Sequence, residues 1–274
     1  MKITQAILPV AGLGTRFLPW TKVVPKELLP IGNEPIIARL VDECLSIGIE
    51  DICFVISPGK ELINQYFNED PRLEAELDRR GKSDLLKKLK AYDRVRFHTV
   101  YQHEQKGDGH AILQAADWVN SEHVAILFGD DLIVHERTGL QQLASALEAV
   151  PEADRADAAM VCLQNVPREK TDKYGIVKLL KEEGRLKHVD GLVEKPKPED
   201  APSTLGIVGK YIISRAAFDV LPGVGASHGG EIRLIDALIE LRTQGKPVYG
   251  WEVEGTRLDT GTPEGYKEAV NMLG

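Results

Sequence analysis

Hydrophobic positions along the first 150 residues alternate between dense short runs and helical spacing. Ile3–Leu8, Asp51–Ser57 and Val124–Phe128 are short runs of mainly apolar residues that read as strands, and Val95–Val100 reads as a strand as well. Between them, Ile36–Ile47, Glu61–Phe67, His110–Trp118 and Gly139–Val150 carry apolar residues at helical spacing. Pro35 stands near the first turn of the first of these helices and Gly48 follows its end. Strand and helix in alternation predict βα units on a mostly parallel sheet. Residues 68–94 interrupt the pattern with dense charge. Leu73, Leu77, Leu85, Leu86 and Leu89 recur there at helix-like separations, predicting one or two surface helices with the leucines turned inward.

After residue 155 the alternation loosens. Ala158–Val166, Ile176–Leu180, Leu186–Val189, Ile207–Ile213 and Val248–Trp251 read as strands, Ile232–Leu241 as a helix, and Pro263 starts a last helix ending near Met272. Pro196, Pro198 and Pro202 make Glu194–Ser203 a loop. The simplest organisation is one α/β domain over residues 1–274, a Rossmann-like mixed and mostly parallel sheet flanked by helices.

The chain has 274 residues with 34 Lys+Arg against 42 Asp+Glu, a formal net charge of −8. That balance argues against a nucleic-acid footprint or an anionic-membrane surface while allowing a local basic pocket. Cys44, Cys53 and Cys162 are odd in number and lack CxxC spacing. A reducing, cytoplasmic setting fits them better than a disulfide scaffold, and no secretory leader or membrane span is read.

The chemistry concentrates directly after the first strand. Gly12 and Gly14 flank Leu13, followed by Thr15, Arg16 and, ten residues after the arginine, Lys26. Such a loop brings backbone N–H groups and two cations to the carboxyl edge of a sheet, where phosphates bind; an ordinary glycine-rich turn is the alternative. Phe17 occupies the third position of GxGxxG, so the dinucleotide fingerprint is incomplete, and no P-loop is present. Asp130 and Asp131 follow a predicted strand, and either carboxylate could support Mg2+ or cap a turn. Asp259, shortly before the last helix, reads on its own as a cap. Glu194 and Lys195, taken alone, read as a charged surface turn.

Several segments together resemble the bacterial UTP–glucose-1-phosphate uridylyltransferases, within the sugar-nucleotidyltransferase family. They are Pro9–Pro35 with its GLGTR and PKE, Gln102, Lys106–Ala111, Gly129–Asp131, Tyr174–Gly175, Val193–Pro196 and Gly230–Asp236. The resemblance covers nearly the whole chain and implies the nucleotidyltransferase (glycosyltransferase-A-like) fold. It implies that UTP and glucose 1-phosphate give UDP-glucose and pyrophosphate with Mg2+. Nucleotide-binding elements then fall mainly in residues 1–135 and sugar-phosphate-binding elements in 155–262. Catalytic roles are implied for Arg16, Lys26, Asp130, Lys195 and Asp259, with Asp130 and Asp259 as the metal ligands. Nucleotide contacts are implied at Ala11, Gly12, Gly14, Thr15, Arg16, Lys26, Glu27, Gln102, Gly107 and Asp130. Sugar-phosphate contacts are implied at Tyr174, Gly175, Glu194, Lys195 and Val208. A homodimer or homotetramer is implied as well. His103 and Thr260 depart from residues common in the family, glycine and cysteine. A related transferase using dTTP or another sugar 1-phosphate is the chemical alternative, and a non-catalytic nucleotide or nucleotide-sugar sensor the binding one.

Overall fold

The computed structural model describes residues 2–226 and 230–274. In chain order its strands are β1 (Gln5–Pro9), β2 (Pro30–Ile31), β3 (Glu34–Pro35), β4 (Asp51–Ile56), β5 (Arg96–Tyr101), β6 (His123–Leu127), β7 (Asp131–Val134), β8 (Ala159–Asn165), β9 (Gly175–Glu183), β10 (Leu186–Glu194), β11 (Leu205–Ser214), β12 (Val248–Glu252) and β13 (Thr256–Asp259). Nine of them form one sheet in the order β5-β4-β1-β6-β11-β8-β12-β10-β9. Pairing is parallel from β5 to β6 and between β8 and β12, and antiparallel around β10 and β11. Seven strands thus run one way, with only β10 and β11 against them, so the sheet is mixed as expected, although these two strands make about half of its pairings antiparallel.

Both faces of the sheet are covered. On one side Ile37, Leu40 and Val41 of helix Ile36–Leu45 pack with Leu140 and Leu143 of helix Gly139–Ala149. On the other, Ala111 and Ile112 of helix Asp108–Gln114 meet Leu234, Leu238 and Leu241 of helix Leu234–Thr243. Alternation along β11 sends Val208 into the first layer and Ile207 into the second. The three cysteines are buried and unpaired. No helix among the described residues is long and apolar enough to cross a membrane.

Several elements differ from the sequence expectation. Residues 68–94 do form two helices, Pro71–Arg79 and Ser83–Leu89, but neither contains a buried residue. Leu73 and Leu85 are exposed, because the helices pack on each other rather than contributing to the core. The short strands β7 and β13 were not foreseen. They pair antiparallel, Asp131 opposite Asp259 and Val134 opposite Thr256, as a ribbon apart from the main sheet.

One polar pair is embedded in the first layer. Lys210 of β11 is fully buried, and its Nζ lies 2.7 Å from Glu43 Oε2. Glu43 Oε1 accepts from the Leu140 amide at 2.7 Å, the start of helix Gly139–Ala149. Glu43 therefore ties two helices to the sheet. Removing one partner of a buried pair strands the other's charge. Lys210→Ala is expected to cost about 3–5 kcal/mol in equilibrium denaturant unfolding. A loss below about 1 kcal/mol, the range of exposed pairs, would contradict this role.

Candidate active site

At the carboxyl ends of the central strands the loops enclose two adjoining cavities. The smaller, about 310 Å³, is bordered by Gly12, Lys26, Glu27, Gln102, Gly107 and Gly129. The larger, about 720 Å³, is bordered by Arg16, Tyr174, Gly175, Glu194, Lys195 and Arg257. Asp108, Phe128 and Asp130 belong to the walls of both.

The β1–β2 connection supplies the smaller cavity's cation. A short 3-10 turn, Lys26–Leu28, places Lys26 toward Asp130 and Glu27 into the interior. Glu27 Oε2 lies 2.9 Å from the buried Lys60 Nζ, which also donates to the Val10 carbonyl at 2.6 Å. Burial lowers the Lys60 pKa, and Glu27 only partly opposes it. The loop is thus clamped from behind by an ion pair. Ala11 is buried, and its carbonyl accepts from Gln105 Nε2 at 3.3 Å. The Gly14 carbonyl accepts from Thr21 Oγ1 at 2.8 Å ahead of the turn Thr15–Phe17, in which Thr15 and Arg16 are exposed and Phe17 packs against the core. Neither Gly14 nor Thr15 borders a cavity, whereas Arg16 reaches the larger one and donates to the Gly261 carbonyl at 3.2 Å.

Gln102 is buried at the end of β5. Its Nε2 donates to the Gly107 carbonyl at 2.9 Å and lies 3.1 Å from His110 Nδ1. Gly107 has φ +103°, and a Cβ there would stand 2.3 Å from the Ile232 carbonyl oxygen. Its lack of a side chain is therefore demanded by a neighbouring backbone, beyond any room it leaves for a ligand. His103 is exposed, with its ring centroid 5.9 Å from that of Tyr101, and borders neither cavity.

Asp130 stands where the two cavities meet. Lys26 Nζ lies 2.6 Å from its Oδ2. Burial works against the carboxylate charge, but Lys26, with Arg257 and Arg16 beyond it, holds Asp130 below the usual range. Burial likewise lowers the Lys26 pKa, yet Asp130, Glu27 and Asp259 outweigh it and the net shift is upward. The pair is therefore ionised on both sides at neutral pH.

The unforeseen ribbon brings Asp259 to this point. Thr260 is buried, and both its amide (2.7 Å) and its Oγ1 (3.0 Å) donate to the Asp130 carbonyl. A Cβ on Gly261 would stand 2.8 Å from Asp130 Oδ2 and 3.0 Å from Asp259 Oδ1, so the two carboxylates converge over one bare backbone position. No group of three or more His, Cys, Asp or Glu side chains suited to a metal occurs among the described residues. A pair of carboxylates beside a phosphate site nevertheless suits Mg2+, which takes one or two carboxylates and completes its shell with phosphate oxygens and water. The donor set fits that ion.

Asp131, the other member of the acidic pair, faces inward. Its Oδ2 accepts from the Gly209 amide at 2.9 Å, and its Oδ1 contacts Arg257 Nε. Burial pushes its pKa up, opposed by Arg257. Arg257 in turn donates to the Tyr174 hydroxyl at 3.1 Å and lies 5.3 Å from the Tyr174 ring centroid. This cation of the larger cavity was not singled out from sequence, since its strand was not recognised.

Across the larger cavity, Lys195 has φ +46°, a turned backbone, and its Nζ lies 3.4 Å from Glu194 Oε1. Its amide donates to the Tyr174 carbonyl at 3.0 Å, joining the ends of β9 and β10. A Cβ on Gly175 would stand 2.4 Å from Ile235 Cδ1 and 3.3 Å from Glu194 Oε2. The Val208 side chain is buried in the opposite layer, so only its backbone is near the cavity, whereas Ile207, Gly209 and Tyr211 of the same strand border it.

Asp108 was also passed over. Its Oδ1 accepts from the Leu234 amide at 2.7 Å, capping helix Leu234–Thr243. Burial raises its pKa to about 6, opposed by that hydrogen bond and reinforced by Glu194. The folded chain therefore holds a proton that the unfolded chain releases near pH 4, so this group removes stability as pH rises from about 4 to about 6. Asp108→Asn is expected to flatten that part of the stability–pH profile, measured by thermal melting against the parent protein. An unchanged slope would contradict it.

The sequence profile described as nucleotidyl transferase matches residues 5–273. The UTP–glucose-1-phosphate uridylyltransferase of Bacillus subtilis (strain 168) is 40% identical over 266 residues, covering 97% of this chain and 89% of the relative. UTP–glucose-1-phosphate uridylyltransferase 2 of Staphylococcus saprophyticus is 41% identical, with 97% and 90% covered. Among solved structures, UDP-glucose pyrophosphorylase complexed with UDP-glucose superposes with a TM-score of 0.87 at 32% identity, covering 98% of both chains. UTP-bound UGPase from Acinetobacter baumannii gives 0.87 at 32%, with 98% and 93% covered.

Proposed function

The chain belongs to the nucleotidyl transferase family, among the bacterial UTP–glucose-1-phosphate uridylyltransferases, and from that premise we infer that it transfers uridylyl from UTP to glucose 1-phosphate, releasing pyrophosphate. The observation that carries the site assignment is Asp130, standing in the wall between two cavities with Asp259 converging on it.

In this reading the smaller cavity takes the uridine. Gln102 uses its amide nitrogen within the protein, which leaves its carbonyl oxygen to accept from the base N3–H. Thymine offers the same N–H, so Gln102 does not separate UTP from dTTP; selection falls to contacts with the ribose and with C5. Gly12 brings backbone close to the phosphates, and Glu27, held by Lys60, supports the loop beneath them.

Glucose 1-phosphate takes the larger cavity, with its sugar over Gly175 and Tyr174. Glu194 accepts from hydroxyls, and Lys195 meets the phosphate. A phosphate monoester has its second pKa near 6, so the attacking oxygen is already anionic and needs no side-chain base. It forms the new bond to the α-phosphorus as the bond to the bridging α–β oxygen breaks, and the electron pair leaves with pyrophosphate. Lys26 moves its hydrogen bond from Asp130 to an α-phosphate oxygen, where charge develops. Arg16 receives the departing pyrophosphate. Asp130 and Asp259 would hold Mg2+, the ion this family uses generally, which when bound neutralises phosphate charge. Self-association as a homodimer or homotetramer, a cytoplasmic setting and the absence of membrane or nucleic-acid partners complete the reading.

The test is product formation by the purified chain from UTP and glucose 1-phosphate with Mg2+, scoring UDP-glucose and pyrophosphate together. dTTP and galactose 1-phosphate serve as competitors. Equal or better turnover with dTTP or with another sugar would overturn the named specificity. Lys26→Met is expected to lower kcat by roughly 100- to 1,000-fold, the effect of losing one preorganised donor to developing charge. Turnover within about threefold of the parent at saturating substrates would reject the role given to Lys26, since so small a change is under 1 kcal/mol of barrier.

A further inference from the structure

Arg233 is a buried cation at the start of helix Leu234–Thr243 and borders neither cavity itself. Its Nη1 donates to Glu194 Oε1 at 2.5 Å, while its Nε and Nη2 both donate to Glu231 Oε2, at 3.2 and 2.8 Å. A rigid guanidinium fork can serve both carboxylates at once; the single ammonium of a lysine cannot reproduce that spread.

The backbone around Arg233 is fastened to the other cavity. The Ile232 amide donates to the Lys106 carbonyl at 2.8 Å, and the Gly109 amide donates to the Ile232 carbonyl at 3.0 Å. With the bond from the Leu234 amide to Asp108, residues 232–234 are zipped along the loop that borders the smaller cavity. The side chain spans the two cavities, its Nη1 on Glu194 of the larger and its Nε and Nη2 on Glu231, which borders the smaller.

Glu194 is thereby fixed by one oxygen. Oε1 carries Arg233 and, more distantly, Lys195, whereas Oε2 is turned over the bare Gly175 in the larger cavity. We propose that Arg233 is a positioning residue for sugar selection, holding Glu194 by Oε1 so that Oε2 faces the bound sugar as a hydroxyl acceptor. Through residues 232–234 it also sets that acceptor at a fixed place relative to the nucleotide loop. This rests on reading the larger cavity as the sugar-phosphate site.

The experiment compares the parent with Arg233→Met and Glu194→Gln, using glucose 1-phosphate and its monodeoxy series. Loss of a hydrogen-bonded charge partner predicts a rise of about tenfold or more in KM for glucose 1-phosphate in Arg233→Met, with KM for UTP within about twofold. Discrimination against the monodeoxy analogue that the parent handles worst should collapse in both variants. Equal rises in both KM values, with discrimination retained, would mean a merely structural role and overturn the proposal. Collapse in Glu194→Gln without collapse in Arg233→Met would also overturn it while sparing the cavity assignment. Retention in both variants would remove Glu194 from the sugar site and the proposal with it. Thermal melting checks folding, and Arg233→Lys replaces the Met variant should the latter not fold. The lysine loses the fork, so unchanged discrimination there overturns the proposal as well.

Discussion

The contact between Lys26 and Asp130 joins positions 104 residues apart and sets the charge at the point where the two cavities meet. Two phosphorylated substrates repel each other, and a crevice that receives both must hold positive charge without collapsing onto it. Lys26 stays protonated because Asp130, with Glu27 and Asp259, outweighs the cost of its burial, and Asp130 stays ionised because Lys26, with Arg257 and Arg16, does the same for it. Each group is thereby kept in its charged form and near the surface of the crevice, ready to exchange its partner for a phosphate oxygen or a cation.

Other charged pairs support this one without entering the cavities in the same way. Lys60 fixes Glu27 beneath the loop, Asp131 fixes Arg257 at the edge of the larger cavity, and Glu43 with Lys210 fixes two helices to β11. Groups held by buried partners do not have to be ordered when a ligand arrives, so less of the binding free energy is lost to reorganisation. The same logic places Arg233 behind Glu194.

Much of this was legible in the sequence, and the remainder was hidden for identifiable reasons. The first four βα repeats declared themselves through short apolar runs alternating with helical spacing, dense where β1, β4 and β6 are buried and sparser at the edge strand β5, and the family motifs in Pro9–Pro35 and Val193–Pro196 marked residues that border the cavities. The ribbon of β7 and β13 is too short for a periodic signal, and with it went Arg257 and the reason Asp259 approaches Asp130. Asp108 and Thr260 act on backbone groups distant in sequence, a relation that no local pattern records. Ile207 and Gly209, which strand alternation turns toward the larger cavity on either side of the inward Val208, were not singled out. Leucines at helical spacing in residues 68–94 suggested an inward face, whereas the two helices mainly cover each other.

The central claim is spatial: one crevice receives both phosphorylated partners across Asp130. A crystal structure of the chain with UDP-glucose tests it most directly. The account predicts uracil beside Gln102, the two phosphates between Lys26 and Lys195, and the glucosyl ring over Gly175 with a hydroxyl on Glu194. The contradicting result is the nucleotide sugar seated elsewhere, such as the surface cavity bordered by Arg137 and Glu148, with Lys26 and Lys195 both clear of its phosphates.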